Sequence, residues 1–295
     1  MTKSVLVKAH IYLWIVALIY GANYSIARII LSPGLIDPNG FILLRIFSGF
    51  ILFRIFFGPM IKIDKKDWID LIILSITGVL INQLFFFNGL ARTSPIHASL
   101  IMLTTPILVL LFSSLSKPRL LNGMHWLGTL LGFGGATLLI FYSTLNKDGI
   151  STVVGDLMIF INAVSYAIYL SRLPSIMKSY PVMEIIKWIF LIAFFLCIPF
   201  GFMDIEQIRW QSFEAQHVFS ILFVLIGTTF LAYLCNAKAM EYSNPSLVGN
   251  YIYLQPLLAI MIACIIGQDQ LHFHIIVSSL IIFNGLFIIS NAGRG

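Results

Sequence analysis

The chain has 295 residues, 59% of them hydrophobic and 10% charged, with a mean hydropathy of +0.96 and a net charge of +6. Soluble domains carry about 25% charged residues and about 45–50% apolar ones, so this composition excludes a water-soluble globular protein and leaves a polytopic membrane protein. The lysines and arginines are spread over short segments with no basic face, which argues against a nucleic-acid partner and for orientation in a bilayer.

Crossing the hydrocarbon core takes about 20 apolar residues per helix, and ten runs of that kind follow one another. The first, 10–31, is too long, and its neighbours too numerous, for a cleavable signal; it carries Tyr20, Asn23 and Tyr24. The second, 38–57, holds Arg45, and the third, 68–91, holds Asn82 and Gln83 near its middle. The fourth, 95–116, contains "SPIHASLIMLTTPILVLLFSS" (94–114), with Pro95 and Pro106 inside an apolar run and His97, Thr104 and Thr105 between them. The fifth, 124–144, has Gly128 and Gly132 in small-xxx-small spacing, a close-packing face either within one chain or between two copies in a weak homodimer. The sixth, 153–172, places Asn162, Ser165, Tyr166 and Tyr169 on one stripe at helical spacing. The seventh, 181–203, includes Glu184 and Lys187; the eighth, 216–240, includes Thr229, Tyr233 and Asn236. The ninth, 245–267, contains "NPSLVGNYIYLQPLLAIMIAC" (244–264), with Ser246, Asn250 and Tyr253, and the tenth is 272–292.

Loop charges orient these spans. With a cytoplasmic N-terminus, the inside set is Lys3, Lys8, Arg54, Lys62, Lys65, Lys66, Lys117, Arg119, Arg172, Lys178, Lys238 and Arg294; the outside set is Arg28, Arg92, Lys147 and Arg209. That is the positive-inside bias, and it puts both termini in the cytoplasm. Cys197, Cys235 and Cys264 lie inside apolar runs and read as packing residues rather than disulfide, metal or nucleophile sites.

The halves repeat. An offset of 150 pairs Pro95 with Pro245, Pro106 with Pro256, Leu108 with Leu258, Phe133 with Phe283 and Gly135 with Gly285. Earlier, "ALIYGANYS" (17–25) lies over "AVSYAIYLS" (163–171). Five spans per half is an odd number, so the second half enters the membrane inverted, an architecture from which many secondary transporters build alternating access. The expected fold is therefore an all-α membrane protein of ten transmembrane helices in two inverted five-helix repeats, 1–145 and 153–292.

Five plus five helices, the Tyr-Gly or Tyr-Ala in the first helix of each half, Arg45 in "FILLRIFSGF", and the hinges "NGLARTSPIHASLIMLTTP" (88–106) and "KAMEYSNPSLVGNYIYLQP" (238–256) together resemble the drug/metabolite transporter superfamily, in its EamA-type branch. The resemblance spans nearly the whole chain. It implies a secondary transporter of small organic metabolites, such as amino acids or amphipathic, drug-like compounds, working across the cytoplasmic (inner) membrane in the direction of export. A proton or other ion gradient is then a candidate driving force. One departure stands out: relatives commonly carry an acid after the fourth and ninth helices, where this chain has "KPRL" (117–120) and "GQDQL" (267–271), so Asp269 can stand in for the second acid while Arg119 cannot stand in for the first.

Individual residues carry two readings each. Pro95 and Pro245 suit a first helical turn; Pro106 and Pro256 fall mid-span, where each frees a carbonyl that neighbouring polar groups satisfy or a cavity exposes. The recurrent polar stripes make Tyr20, Asn23, Arg45, Asn82, Gln83, Thr104, Tyr166, Tyr169, Tyr233, Asn236 and Tyr253 the candidate substrate-binding set, suited to zwitterionic, amphipathic or aromatic solutes. Arg45 lies roughly 10 Å past the start of its helix and either snorkels outward or turns its planar fork inward. Glu184 and Lys187, three apart, pair with each other; His97 is a hydrogen-bonded interface residue or a titrating group near neutral pH. With no H-E-x-x-H, G-x-S-x-G or Walker A motif, no metal-ligand cluster and no cofactor motif, an enzyme is not expected. The other class in play is a membrane-embedded sensor or interaction protein.

Overall fold

A computed structural model describes residues 3–31, 34–116, 123–145, 151–242 and 251–292. Pro245, Ser246, Asn250 and Arg119 lie outside the described residues. We label the helices α1 Lys3–Leu31 and α2 Pro38–Phe56. Helix α3 runs through Trp68–Ser75, a π-helical Ile76–Leu80 and Ile81–Leu90. Helix α4 is broken into Pro95–Ile101 and Thr104–Ser116. Then come α5 Gly123–Leu145, α6 Val153–Ile176 and α7 Val182–Glu206. Helix α8 comprises Ala215–Leu222, a π-helical Phe223–Leu231 and Ala232–Glu241; α9 is Leu254–Ile266 and α10 Phe273–Ala292. Among the described residues, eight helices are long and apolar enough to cross a membrane, and the stretches Leu254–Ile266 and Phe273–Ile289 are shorter apolar helices. This is a membrane-protein fold.

Local chemistry fixes where several helices begin. The Asp37 carboxylate accepts from the Asn39 amide with Pro38 in the first turn, the Ser94 hydroxyl from the His97 amide with Pro95 following it, and the Thr152 hydroxyl from the Gly155 amide. Each supplies an oxygen to an otherwise orphaned N–H. Pro95 is thus the structural proline expected. Pro106 offers no N–H to the carbonyl of Met102; that oxygen takes the Thr105 amide at 3.0 Å, and α4 breaks at Met102 and Leu103. A similar break precedes α9 at Tyr253, three residues before Pro256.

Helix α5 packs along α10, α2 along α7, α3 and α4 against α6, and α8 and α9 against α1. The α5–α10 contact is backbone on backbone. A Cβ added to Gly285 would sit 2.6 Å from the Gly128 carbonyl oxygen and 2.7 Å from the Gly132 nitrogen, and one on Gly128 would meet the Gly285 oxygen at 2.5 Å. The small-xxx-small face is therefore covered within this chain, with Gly128 against α10 and Gly132 against Ile107 of α4. Gly285→Ala is expected to pry these helices apart and lower stability by about 1–3 kcal/mol, measured as thermal unfolding in micelles; an unchanged midpoint would mean that the contact relaxes freely.

One end of the bundle, where α1 begins, is clamped by a loop. Lys187, 0% exposed, lies 2.6 Å from Glu184 Oε1 and donates to the carbonyls of Phe57, Gly58 and Pro59 at 3.3, 3.2 and 3.0 Å. Glu184 Oε2 in turn accepts the Ile61 amide, and the Trp188 indole donates to the Ile61 carbonyl. The pairing expected of Glu184 and Lys187 is present, and its use is to hold the α2–α3 connection against the start of α7.

Candidate functional site

A cavity of about 280 Å³ lies between the helices at mid-depth. Its walls come from both halves of the chain. Tyr20, Asn23, Arg45, Asn82 and Gln83 line it from α1, α2 and α3, and Tyr166, Tyr169, Tyr233 and Asn236 from α6 and α8. Thr104 and Tyr253 do not: the Thr104 hydroxyl donates to the Ile101 carbonyl at 2.8 Å, satisfying backbone loosened at the α4 break, and Tyr253 packs against the apolar core. Thr105, one residue on, takes the place expected of Thr104, and Tyr251, Gln255 and Pro256 take that of Tyr253. Sequence reasoning also passed over the apolar part of the wall, Phe86, Met102, Leu173, Met177, Val182 and Ile186, because apolar residues in an apolar helix give no signal.

Arg45 turns inward, which rules out snorkelling. It is 6% exposed and its guanidinium is fully engaged on one side: Nε donates to Thr229 Oγ1 at 2.7 Å, one Nη to Gln83 Oε1 and the other to Thr228 Oγ1 at 3.3 Å. Its Cζ stands 5.1 Å from the centre of the Phe87 ring, within cation–π range. Both threonine hydroxyls also donate to the Val224 carbonyl, at 2.7 and 2.9 Å, a pairing from positions four and five residues on that the wide π turn permits. Gln83 is held further by its amide donating to Asn82 Oδ1 at 2.9 Å. On α6, the Asn162 amide donates to the Asn82 carbonyl at 2.5 Å and the Ser165 hydroxyl to the Thr77 carbonyl at 2.6 Å, so this helix satisfies backbone in and beside the α3 π turn.

Three buried acceptors on the cavity wall have no donor: Asn23 Oδ1, Asn162 Oδ1 and Thr105 Oγ1. Buried oxygens of this kind are costly unless something supplies a proton. With less than 1 Å² exposed each, they are reached by a donor only when the wall moves, while Arg45 keeps N–H groups that the wall does not use. The stacked Tyr166 and Tyr169 rings, 5.8 Å apart, add a flat apolar surface.

The cavity is unequal at its two ends. Toward the clamped end, Met177, Val182, Tyr251 and Ile252 are partly exposed. Toward the other, Ser99, Leu103 and Thr105 are buried. Beyond them a polar layer seals the bundle: Arg28 donates to the carbonyls of Leu90 and Thr93, the Gln268 amide to the Ser25 carbonyl at 3.1 Å, and the Asp156 carboxylate bonds Thr93 and His97. Asp156, in the first turn of α6, is 0% exposed.

The chain is similar to several known proteins. A transporter of undescribed specificity from Archaeoglobus fulgidus is 23% identical over 287 residues, covering 95% of this chain and 96% of its own. The Bacillus subtilis transporter YyaM is 24% identical over 75% of this chain and 73% of its own, and the Arabidopsis thaliana WAT1-related protein At3g18200 is 24% identical over 73% and 63%. A solved crystal structure superposes with a TM-score of 0.64 at 17% identity, covering 97% of this chain and 98% of the other, which supports the fold alone. The EamA-like transporter family matches at residues 7–141 and 153–291, so the chain belongs to that family, within the drug/metabolite transporter superfamily.

Proposed function

We propose that this membrane transporter works by alternating access, with two inverted five-helix repeats, 1–145 and 153–292, both termini in the cytoplasm, and ten membrane spans. Exchange of the first five helices for the last five turns α3–α6 into α8–α1 and α4–α6 into α9–α1, and leaves α2–α7 and α5–α10 unchanged; these are the packing pairs observed. The π turns of α3 and α8 and the breaks in α4 and before α9 correspond in the same way. Such pairing favours a repeat over chance coincidence of leucines.

The observation that carries the reading is the mid-depth polar cavity, sealed at one end and partly exposed at the other. With the termini in the cytoplasm, the partly exposed end faces the cytoplasm, and the protein stands ready to load a solute for export across the inner membrane. Unpartnered acceptors, the Arg45 guanidinium and tyrosine faces suit a small amphipathic solute bearing both donor and acceptor groups, of which amino acids are the simplest examples. An ion gradient is one means of driving it. Purified protein in proteoliposomes loaded with a panel of amino acids and amphipathic metabolites is expected to catalyse counterflow of at least one labelled solute. Binding without counterflow would favour a sensor, and no protein-dependent flux of any solute would sink the proposal.

A further inference from the structure

We infer that His97 and Asp156 form a proton-binding latch that holds the sealed end of the cavity shut. The inference rests on the alternating-access reading for its use in transport, but its geometry stands separately. His97 is on α4 and Asp156 on α6, so the pair ties the first repeat to the second. Both are buried, at 4% and 0% exposure. Each carboxylate oxygen is engaged: Oδ2 is 3.1 Å from His97 Nδ1, and Oδ1 accepts from the Thr93 hydroxyl. The backbone around the pair is fastened as well. The Thr152 amide and hydroxyl both donate to the Arg92 carbonyl, at 3.0 and 2.7 Å, and the Ser94 amide donates to Ser151 Oγ at 3.1 Å.

Two further histidines lie between this point and the surface. His272 is exposed and stacks on the partly buried His274 with ring centres 5.7 Å apart, and His274 meets His97 edge-on at 6.1 Å. Among the described residues, charged groups near the pair include Arg28 from α1, bonded to the Leu90 and Thr93 carbonyls, and Arg92 at the end of α3, bonded to Asn88. Asp269 follows α9 and acts electrostatically on Arg28, and Tyr142 of α5 stacks on His274.

The sign follows from charge. A neutral His97 offers Asp156 a hydrogen bond, whereas a protonated one offers the same bond plus an opposite charge, out of water's screening. Protons arriving at the sealed end therefore favour closure, and the bond loosens as pH rises. Histidine is the side chain whose ordinary charge change falls between about pH 5 and pH 8, which sets the range for a test. Opening the sealed end requires the repeats to part there, and His97 and Asp156 with them.

The test reads opening directly. Ser25, 0% exposed, lies in the sealing layer and outside the cavity wall. In the full chain with Cys197, Cys235 and Cys264 replaced by serine, a Ser25→Cys thiol is labelled by a water-soluble maleimide in micelles. Rates are normalised at each pH to the same thiol in unfolded protein. Labelling is expected to slow by about tenfold between pH 8 and pH 5, the order expected when a neutral hydrogen bond gains an opposite charge. His97→Asn keeps an amide donor at the position of Nδ1 but takes no proton, and should abolish the slope; Asp156→Asn provides the same check should His97→Asn fail to fold. A flat or inverted slope in the parent, or a slope that survives in either variant, overturns the latch. Labelling that follows pH as expected alongside absent counterflow would leave the latch standing and remove the transport reading; counterflow with flat labelling would do the opposite.

Discussion

Arg45→Ala is expected to reduce transport of every solute by about tenfold to a hundredfold, because hydrogen bonds to a charged group contribute about 1.5–3 kcal/mol and 1.4 kcal/mol is a factor of ten. The guanidinium links α2 to Gln83 of α3 and to Thr228 and Thr229 of α8, so its loss slackens the wall at the point where the two halves meet. Arg45→Lys keeps the charge but not the fork, and a single ammonium cannot reproduce three bonds spread over three nitrogens. It should therefore resemble Arg45→Ala more than the parent, with lower thermal stability and weaker transport of all solutes alike. A different outcome, raised KM for carboxylate-bearing solutes with stability intact, would assign the guanidinium to substrate rather than to the wall. Unaltered transport in Arg45→Ala would remove the cavity from consideration as the transport site.

Lys187→Ala should be the most damaging single change to stability. It leaves the Glu184 carboxylate beside the carbonyl oxygens of Phe57, Gly58 and Pro59, with no cation among them, and an uncompensated buried charge costs about 3–5 kcal/mol. Removing both charges, as Lys187→Met with Glu184→Gln, should restore much of the loss, since the remaining amide can still accept from Ile61. Thermal unfolding of the purified variants in micelles separates the cases. Equal damage from the single and the double change would mean that packing at the clamp matters and charge does not.

What the sequence made legible was a matter of contrast. Asn162, Tyr166 and Tyr169 stand out because polar groups at helical spacing interrupt an apolar run, and all three reach the cavity. Arg45 gave only its depth; its direction depends on threonines from a helix far along the chain. Thr104 and Thr105 cannot be told apart by type, and the α4 break decides which one faces inward. Asp156 sits in the first turn of α6, and nothing along that helix points to its partners Thr93 and His97, which belong to the other half. Spacing along one helix is written in the sequence; which helix sits opposite is written in packing.

The π turns at Ile76–Leu80 and Phe223–Leu231 bear on how this chain is to be aligned with its relatives. Each holds more residues than an α turn over a similar rise, so deletion of one residue there would restore regular winding without leaving a gap in the hydropathy profile. A π turn spends about one residue more than an α turn over nearly the same rotation and rise, so the helix beyond such a deletion keeps its face: Gln83 stays toward Arg45 in α3, and Tyr233 and Asn236 stay on the cavity wall in α8. Relatives are therefore to be aligned with a one-residue gap allowed at either turn, because a gap placed elsewhere in α3 or α8 would set every cavity residue beyond it one position out of register.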